Sequence, residues 1–247
     1  MRILLSGISG KMGRAVLSAT AGMPNALIVA GVDKFAKAEQ FNVPVYSSIG
    51  DVAEQFDVII DFSVRESVYS LLPYAVSKKI PCVLATTGYN DEELEYIRKA
   101  SLKTAVFLSG NMSLGVNVLI KLVKSATAML KDKADIEITE THHNQKIDAP
   151  SGTAKMLLSA VASEQPIIPI YGREGNTGAR TKGEVGVHAI RGGTVVGKHE
   201  VSFILDNEVI TLKHEAESKF IFANGALKSA SYLLGKKPGL YNMETML

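Results

Sequence analysis

The chain has little cysteine, no long apolar run and almost no excess of charge of either sign. Cys82 is the only cysteine, so a disulfide within one chain is excluded and we expect a reducing compartment. No apolar stretch approaches membrane-spanning length and no signal-peptide pattern precedes the first strand pattern, so we expect a cytoplasmic protein with no membrane partner. The net charge of +2 gives no reason to expect nucleic-acid binding.

The composition is that of an ordinary globular protein. Apolar residues make up 46% of the 247 residues and charged residues 21%, which is enough to bury one large core or two modest ones. The chain contains no internal repeat and no low-complexity segment, so solenoid and fibrous classes are excluded.

The first strong pattern is a glycine-rich turn between a strand and a helix. An apolar strand pattern, Met1–Ser6, runs directly into the turn Gly7–Gly13, and a second strand pattern, Leu27–Val32, ends at Asp33. The spacing is Gly-x-x-Gly-x-x-Gly instead of the commoner Gly-x-Gly-x-x-Gly, so the context carries the prediction. An acid lies about twenty residues beyond the last glycine, where a ribose-binding carboxylate belongs. We predict a dinucleotide-binding turn, with an ordinary strand–helix turn as the alternative.

The acid of this pattern is followed directly by a cation. Asp33 favours a free ribose 2′-hydroxyl, whereas Lys34 can accept a 2′-phosphate. The pair therefore predicts tolerance of both NADH and NADPH. The alternative is that Lys34 points into water.

Strand and helix patterns then alternate. Strand patterns at Asp57–Phe62, Pro81–Ala85 and Thr104–Leu108 are separated by helical patterns at Glu66–Ser77 and Asp91–Ala100. This alternation predicts a Rossmann-type α/β unit, a parallel sheet with helices on both faces and ligands at the carboxyl ends of its strands. Polar turns at these ends are either walls of a cofactor groove or simple helix caps: Ser63–Arg65, Thr86–Asn90 and Ser109–Ser113.

The pattern changes after residue 113. A long amphipathic helix begins at Leu114, and three β-rich stretches follow at Val185–Ile190, Thr194–Leu205 and Val209–Glu215. We predict that these three form a meander within a second, α+β domain that has an open mixed sheet. A final helix at Ala223–Gly235 is expected to return to the first domain. The predicted division is residues 1–113 with 222–247 for dinucleotide binding, and 114–221 for substrate binding and oligomerisation.

The stretch from Glu140 to Ala154 concentrates the chemistry of the chain. After the strand pattern Asp135–Thr139, it places His142, His143 and Lys146 in what we predict to be a short loop before a helix that starts near Ser151. Imidazoles supply protons near neutral pH, and a helix N-terminus attracts anions. The alternative is a pair of solvent-exposed histidines beside an ordinary helix cap. Metal binding is not expected, because adjacent histidines point apart and no Cys-x-x-Cys occurs.

With these motifs assembled, the chain resembles the 4-hydroxy-tetrahydrodipicolinate reductase (dihydrodipicolinate reductase) family over nearly its whole length. The most specific motif is Glu140-x-His-His-x-x-Lys-x-Asp-Ala-Pro-Ser-Gly-Thr-Ala154. The supporting motifs are Gly7-x-x-Gly-x-Met-Gly13, Asp61-Phe-Ser63, Thr86-Thr-Gly88, Asn111-x-Ser113-x-Gly-Val-Asn117, Gly186–Gly193 and Phe222–Ala226.

The resemblance implies NADH- or NADPH-dependent reduction of a cyclic dicarboxylate in lysine and diaminopimelate biosynthesis, by a homotetramer. It implies that His142 is a proton donor and acceptor and that Lys146 is a proton donor. It implies substrate contacts at His143, Gly152 and Thr153, and Ser151 at the predicted helix start can also serve a substrate carboxylate. Implied coenzyme contacts are Gly7, Ile8, Ser9, Gly10, Lys11, Met12, Asp33, Lys34, Ala85, Thr86, Thr87, Ser109, Gly110, Asn111 and Met112.

Three residues depart from the pattern of the family. Ala85 stands where glycine is usual, Asp33 replaces the more frequent glutamate, and Met112 stands where an aromatic residue is common. None of these changes removes a group that the reaction requires, but each could shift the coenzyme preference.

Two other functions compete with this interpretation. The first is a different two-domain nicotinamide-dependent dehydrogenase, which would act on aspartate semialdehyde or homoserine. The second is a non-catalytic regulator that binds a dinucleotide and signals through a partner. The regulator leaves the His-His-x-x-Lys motif unexplained.

Overall fold

A computed structural model describes the backbone of residues 1–247 and every side chain except that of Ala38. The chain divides into two units, Met1–Ser113 with Lys219–Leu247, and Leu114–Ser218. In chain order the helices and strands are β1 (Arg2–Ser6), α1 (Lys11–Thr20), β2 (Leu27–Val32), β3 (Val45–Tyr46), β4 (Val58–Asp61), α2 (Val68–Lys78), β5 (Cys82–Leu84), α3 (Asp91–Ser101), β6 (Ala105–Leu108), α4 (Leu114–Leu130), β7 (Asp135–His142), α5 (Gly152–Ala162), β8 (Ile168–Ile170), β9 (Glu184–Arg191), β10 (Gly197–Leu205), β11 (Glu208–Ala216), α6 (Phe220–Leu233), β12 (Gly239–Tyr241) and α7 (Met243–Met246).

The first unit is built on a parallel sheet with the strand order β12-β6-β5-β4-β1-β2-β3. The apolar residues of its central strands β1 and β4 form a buried core, in which Ile3, Leu5, Val58 and Ile60 are completely buried. Strands of this kind are covered by helices on both faces. The predicted Rossmann-type parallel sheet is therefore confirmed.

The strand order reverses between β1 and β4, because the chain first moves outward through β2 and β3 and then returns to the other side of β1. At such a point the connections at the carboxyl ends of the two strands leave in opposite directions and open a crevice. The turn at Gly7 follows β1 and Asp61 ends β4, so both lie at this reversal.

The C-terminal segment completes the first unit. Helix α6 contributes Ala223, Ala226 and Leu233 to the same core as β1 and β4, and β12 pairs with β6 at the edge of the sheet. A Cβ atom on Gly225 would lie 1.7 Å from the carbonyl oxygen of Met112, so the bare glycine lets α6 pack directly on the turn after β6. The chain returns to this unit at Lys219, three residues before the predicted boundary, and β12 was not predicted.

The second unit is built on a mixed sheet with the strand order β11-β10-β7-β9-β8. Helices α4 and α5 supply Leu119, Val123, Leu157 and Val161 to a core against one face of this sheet. Strand β7 contributes Ile138 to that core from the centre of the sheet. Within the part of the chain that the structure describes, no helix combines the length and the hydropathy that a membrane span requires.

The predicted meander of β9, β10 and β11 is wrong for β9. Strands β10 and β11 do form an antiparallel hairpin, but β7 lies between β9 and β10. Strand β7 pairs in parallel with β9 and antiparallel with β10. The physical reason is that a central strand pairs its backbone N–H and C=O groups along both edges, and β7 does so with β9 and β10. The connection between Arg191 and Gly197 therefore passes the end of β7, where Gly192 N–H donates to the carbonyl oxygen of His142 at 2.9 Å.

Candidate active site

Strand β7 carries the first part of the motif that was predicted to be a loop. The strand continues to His142, so Glu140 and His142 belong to its ladder and follow Ile136 and Ile138 on the buried face. The side chain of Glu140 is completely buried and His142 is 9% exposed. The loop proper is therefore shorter than predicted and begins at His143.

Glu140 accepts four hydrogen bonds from three different elements. Arg191, at the end of β9, donates to both carboxylate oxygens at 2.8 Å. His142 Nδ1 lies 2.5 Å from Oε2, and the N–H of Ser151 donates to Oε1 at 3.0 Å. One buried carboxylate thus joins β7, β9 and the start of α5.

These partners decide the ionisation of Glu140. Burial opposes ionisation, but the hydrogen bonds from Arg191, His142 and the Ser151 N–H outweigh it and hold the pKa of Glu140 below its ordinary value. Glu140 is therefore a buried anion, and Arg191 is its counter-ion.

The imidazole of His142 is held on three sides. Its Nδ1 faces the Glu140 carboxylate, and its ring meets that of His199 edge-on, with centroids 5.1 Å apart. On the third side lies Gly197, where a Cβ atom would be 3.1 Å from His142 Nε2. The two ring nitrogens therefore have different surroundings.

His199 was not predicted to belong to the site. Its Nε2 lies 2.9 Å from Ser151 Oγ, and its Nδ1 is buried without a hydrogen-bond partner among the described residues. Burial, together with the charges of His142, His214 and Lys146 and against the opposing effect of Glu140, lowers the pKa of His199 to about 4. His199 is therefore a neutral residue that supports Ser151.

The helix start that follows the loop has the expected cap. Ser151 Oγ accepts from the N–H of Ala154 at 3.1 Å, and α5 begins at Gly152. Gly152 is exposed, with no atom within 4 Å of the site of a Cβ, and Thr153 is half-buried beside it. The positive end of the helix dipole is thus accessible to an anion.

Lys146 lies in the loop between β7 and α5. Its ammonium contacts the carboxylate of Asp148 at 2.7 Å, and this hydrogen bond from Lys146 holds the pKa of Asp148 below its ordinary value. The carbonyl oxygen of Asp148 accepts from Arg191, so the loop is tied to the Glu140 pair. His143 is half-buried, and its carbonyl oxygen accepts a hydrogen bond from the N–H of Lys146. All the predicted catalytic and substrate residues therefore lie in the second unit.

The glycine turn of the first unit is sterically required. Gly7 has φ +77°, and a Cβ there would lie 2.8 Å from the backbone of Phe62. A Cβ on Gly13 would lie 2.2 Å from the carbonyl oxygen of Gly7. Helix α1 starts after Gly10 with no side-chain cap, which leaves its N-terminal N–H groups available to an anion such as pyrophosphate. The turn therefore fits a dinucleotide.

The other members of the predicted pyrophosphate turn differ in what they expose. The side chain of Ile8 is completely buried in the core, so only its backbone is available to a ligand. Ser9 and Met12 are half-buried, and Lys11 is exposed.

Asp33 is fixed to the same turn. One carboxylate oxygen accepts from Ser9 N at 3.0 Å and Ser9 Oγ at 2.5 Å, and the other accepts from Phe35 N at 3.0 Å. Partial burial opposes ionisation, but these hydrogen bonds prevail and lower the pKa of Asp33. Lys34 is exposed. The carboxylate is thus an anion held at the end of β2.

A second buried carboxylate, Asp61, joins the turns after three adjacent strands. It accepts from Ser63 N at 3.2 Å, Ser63 Oγ at 2.5 Å, Ser67 Oγ at 3.0 Å and Thr86 Oγ1 at 3.0 Å, with a further hydroxyl bond from Ser6. Burial raises the pKa of Asp61 above its ordinary value, although these bonds act in the opposite direction. Among the described residues, its hydrogen-bond partners are a backbone N–H and hydroxyl groups, with no cation.

The remaining predicted coenzyme residues follow β5 and β6. The hydroxyl of Thr86 donates to Asp61. Ala85 is buried, whereas Thr87 and Gly110 are exposed. The turn after β6 is closed by Ser109 Oγ, which donates to the carbonyl oxygen of Asn111 at 2.8 Å, and by Asn111 Oδ1, which accepts from Ser113 N at 2.9 Å. The side chain of Met112 lies in the core beside Ser229.

Reasoning from the sequence missed Arg191, His199, Gly197 and the structural role of Asp61. A signal for the Glu140 cluster was present, because the period-two pattern of β7 places Glu140 on the buried face, where a carboxylate needs a partner. The partner itself lies 51 residues away and has no local signature. Among the described residues, no cluster of His, Cys, Asp and Glu has the arrangement of a metal site.

Comparison with known proteins gives one consistent family. Residues 1–112 match the family described as "Dihydrodipicolinate reductase, N-terminus", and residues 115–247 match "Dihydrodipicolinate reductase, C-terminus". The 4-hydroxy-tetrahydrodipicolinate reductase of Caldanaerobacter subterraneus subsp. tengcongensis is 47% identical, with 100% of this chain and 98% of the relative covered. That of Clostridium tetani is 45% identical, covering 100% and 97%.

A solved structure agrees with the sequence relatives. It is a dipicolinate-bound dihydrodipicolinate reductase from Paenisporosarcina sp. TG-14, with a TM-score of 0.83 and 25% identity over 100% of this chain and 99% of that chain. Fold, motifs and relatives therefore lead to the same conclusion: the chain belongs to the dihydrodipicolinate reductase family.

Proposed function

We propose that the chain reduces 4-hydroxy-tetrahydrodipicolinate to tetrahydrodipicolinate with NADH or NADPH, in the biosynthesis of diaminopimelate and lysine. The observation that carries the proposal is the arrangement around Glu140, which joins the imidazole of His142 to the N-terminus of α5 in one buried network. A proton donor and an anion-binding helix end are thereby fixed to the same carboxylate. A doubly anionic ring that must gain a proton suits this combination.

The N-terminus of α5 binds a carboxylate of the substrate. Ser151, Gly152 and Thr153 form its first turn, where the helix dipole favours an anion. His143 and Lys146 lie in the preceding loop and add a donor and a cation. Dipicolinate bound to the relative from Paenisporosarcina is a planar dicarboxylate of the same class, which supports this assignment.

His142 and Lys146 supply the proton that the reduced substrate requires. The imidazole is held by Glu140 and can be reprotonated from water through its narrow exposed surface. The ammonium of Lys146 is 20% exposed and paired with Asp148, so it is a charged donor beside the same loop. A positioned acid of this kind typically accelerates a reaction about a hundredfold or more.

The glycine turn and the strand ends of the first unit bind the coenzyme. Gly7 to Met12 hold the pyrophosphate at the N-terminus of α1. Ala85, Thr86 and Thr87 line the nicotinamide side, together with Ser109, Gly110, Asn111 and the backbone of Met112. The bound reduced nicotinamide supplies the hydride, and the residues of the chain bind and orient it.

Both NADH and NADPH serve as coenzymes under this proposal. The carboxylate of Asp33 accepts the free ribose hydroxyl of NADH. The exposed ammonium of Lys34 pairs with the 2′-phosphate of NADPH. The hydrogen bonds from Ser9 limit how far Asp33 can move away from that phosphate, so we expect the two affinities to differ.

We further propose that the working form is a cytoplasmic homotetramer. The face of the second sheet opposite α4 and α5 exposes Ile190, Ile204 and Val209, whose side chains are 50%, 41% and 57% exposed. Copies of the chain that associate through this face would cover these apolar groups. Sedimentation measurements over a range of protein concentrations test this state.

The activity is tested by following the absorbance of reduced nicotinamide. The chain is mixed with the freshly made condensation product of pyruvate and aspartate semialdehyde, with NADH and NADPH in parallel. We expect oxidation of the coenzyme that requires the condensation product and is inhibited by dipicolinate. Turnover of aspartate semialdehyde or homoserine alone would indicate another dehydrogenase, and coenzyme binding without any turnover would indicate a regulator.

The site assignment is tested with His142→Gln and Lys146→Ala. Each variant should lower kcat on the order of a hundredfold while the affinity for the coenzyme changes little, because both residues lie in the second unit. The matched controls are His188→Gln, on the opposite face of the same sheet, and the exposed Lys155→Ala on α5. Wild-type rates in both active-site variants would refute the assignment.

A further inference from the structure

The two ring nitrogens of His142 have different neighbours. Nδ1 lies 2.5 Å from Oε2 of the completely buried Glu140. Nε2 lies 3.1 Å from where a Cβ on Gly197 would stand, and the rings of His142 and His199 meet edge-on. A histidine that exchanges a proton uses one nitrogen, and the group bound to the other nitrogen selects which one.

The neighbour of Nδ1 can only accept a hydrogen bond. Glu140 is ionised because the hydrogen bonds from Arg191, His142 and Ser151 outweigh the cost of its burial. An ionised carboxylate has no proton to donate, so Nδ1 must carry the hydrogen of the His142–Glu140 bond. The neutral ring is then the Nδ1–H tautomer, and Nε2 is the nitrogen that gains and loses a proton.

The neighbour of Nε2 is a residue without a side chain. Gly197 begins β10 directly beside the end of β7, and its Cβ would stand 3.1 Å from Nε2 and 3.5 Å from Cδ2 of His142. Its backbone has no left-handed φ, so no turn or backbone strain explains the glycine here. What the glycine provides is space beside the working nitrogen.

The charged and titratable groups around the ring come from four elements. They are Glu140 on β7, Arg191 on β9, His199 on β10 and Lys146 in the loop before α5. Only Glu140 contacts Nδ1, while Arg191 binds both oxygens of Glu140 and holds its plane fixed. The orientation of His142 therefore depends on Glu140, and that of Glu140 depends on Arg191.

We propose that Glu140 and Gly197 are positioning residues for His142: Glu140 keeps the proton on Nδ1, and Gly197 leaves Nε2 clear to exchange a proton with the substrate. The proposal rests on the proposed function, in which His142 is the proton donor. A purely structural role for Glu140, which ties β7 to β9 and α5, would lower stability without determining the tautomer.

The first test measures the tautomer of the wild-type protein and requires no turnover. Protein labelled with ¹⁵N at its five histidines is studied by long-range ¹H–¹⁵N correlation, and the His142 ring is assigned by its loss in His142→Gln. We expect the neutral ring to have a protonated Nδ1 and an unprotonated Nε2. A resting ring protonated on Nε2 would overturn the proposal, whether or not the chain reduces the expected substrate.

The second test moves the proton. In Glu140→Gln the carboxamide oxygen is needed by Arg191 and the Ser151 N–H, so its NH2 group turns toward Nδ1 and the ring proton shifts to Nε2. We expect kcat to fall on the order of a hundredfold, with KM within about threefold, because a ring in the wrong tautomer cannot transfer its proton correctly. An unchanged tautomer in this variant would overturn the role of Glu140.

The matched control for this variant is Glu137→Gln. Glu137 lies on the opposite face of β7 and also binds a histidine and arginines, His188, Arg173 and Arg180. We expect it to leave the His142 resonances and kcat unchanged. A comparable fall in kcat in Glu137→Gln would attribute the effect to general loosening of the sheet and would count against the proposal.

The third test leaves the Glu140 network intact. Gly197→Ala places a methyl group 3.1 Å from Nε2, whereas Gly192→Ala places one in open space in the same connection. We expect Gly197→Ala to keep the Nδ1–H tautomer but to lower kcat by about tenfold or more, because Nε2 is blocked or displaced. Gly192→Ala should retain kcat within about twofold. If Gly197→Ala kept the wild-type rate, Gly197 would have no positioning role.

Discussion

Glu140 and Asp61 are both completely buried carboxylates, but the two units of the protein stabilise them in different ways. Glu140 receives a guanidinium, an imidazole and a backbone N–H. In the described part of the chain, Asp61 receives one backbone N–H and the hydroxyls of serine and threonine residues, and no cation. Hydrogen bonds and charge lower the pKa of Glu140, whereas burial prevails at Asp61 and raises its pKa.

The two sites differ in whether the partners of the carboxylate can only donate hydrogen bonds or can also accept them. Guanidinium and backbone N–H groups only donate, so the site of Glu140 is specific for an anion. Hydroxyl groups donate or accept by rotating about one bond, so the site of Asp61 can accommodate either a charged or a neutral side chain. The first network fixes a protonation state, while the second fixes mainly the geometry of the turns after β1, β4 and β5.

The largest effect is expected for Arg191→Met. It leaves the Glu140 carboxylate buried without its counter-ion, which typically costs about 3–5 kcal/mol of the free energy of unfolding. Urea unfolding measures the loss, and Arg98→Met, which breaks the exposed pair with Glu95, should have no clear effect. Adding Glu140→Gln to Arg191→Met should restore part of the loss. A double variant as unstable as the sum of the singles would show that the two residues are not coupled.

The next largest effects are expected when each carboxylate is replaced by its neutral amide, and they should differ between the two sites. Glu140→Gln places an NH2 group beside the Arg191 guanidinium, which can only donate, and we expect it to cost roughly 2–3 kcal/mol of the free energy of unfolding. In Asp61→Asn the hydroxyls of Ser63, Ser67 and Thr86 can rotate to accept hydrogen bonds from the new NH2 group. We therefore expect a cost of about 1 kcal/mol or less of the free energy of unfolding. Equal losses in urea unfolding would remove the distinction between the two sites.

The pH dependence of stability should have opposite signs in the two variants. The pKa of Glu140 is lowered, so its contribution to stability is complete above the ordinary value of 4.5 and is lost as the pH falls below it. The pKa of Asp61 is raised, so its ionisation penalty is absent below the ordinary value of 3.8 and grows as the pH rises. As the pH falls, the difference in unfolding free energy between wild type and Glu140→Gln should decrease. Over the same range, wild type should gain stability relative to Asp61→Asn. Unfolding free energies measured between about pH 3 and pH 7 check both signs.

An effect about as small as that of Asp61→Asn is expected when Asp61 loses one hydroxyl partner, that of Thr86. Thr86→Val keeps the shape of the side chain but deletes the 3.0 Å hydrogen bond, which should cost about 1 kcal/mol of the free energy of unfolding. Thr87→Val, at the exposed neighbouring residue, is the control and should be nearly neutral. A loss well above that of Asp61→Asn would mean that Thr86 acts through contacts other than Asp61.

Local patterns were sufficient for most of the first unit. The glycine turn, the acid after β2 and the alternation of strands and helices are short-range signals, and the structure has the predicted parallel sheet. The edge strand β12 escaped prediction because it is three residues long and contains glycine. Such a strand is defined by its pairing with β6, which the local sequence does not reveal.

The candidate site shows why long-range partners are harder to predict. The residues of the Glu140 motif were found because they are neighbours in sequence. Arg191 and Gly197 reach the site only because β9 and β10 flank β7, and the predicted meander placed β9 next to β10 instead. An error in strand order therefore also hid the counter-ion of Glu140.

The closure of the first sheet by the last residues of the chain has a consequence for biosynthesis. Once residues 114–218 have emerged from the ribosome, the second unit is complete, because its strands and helices are contiguous in sequence. The first unit still lacks α6, which fills its core, and β12, which covers one edge of its sheet. We therefore expect the middle of the chain to fold first. The nascent N-terminal segment should keep apolar surface exposed until α6 and β12 have been translated.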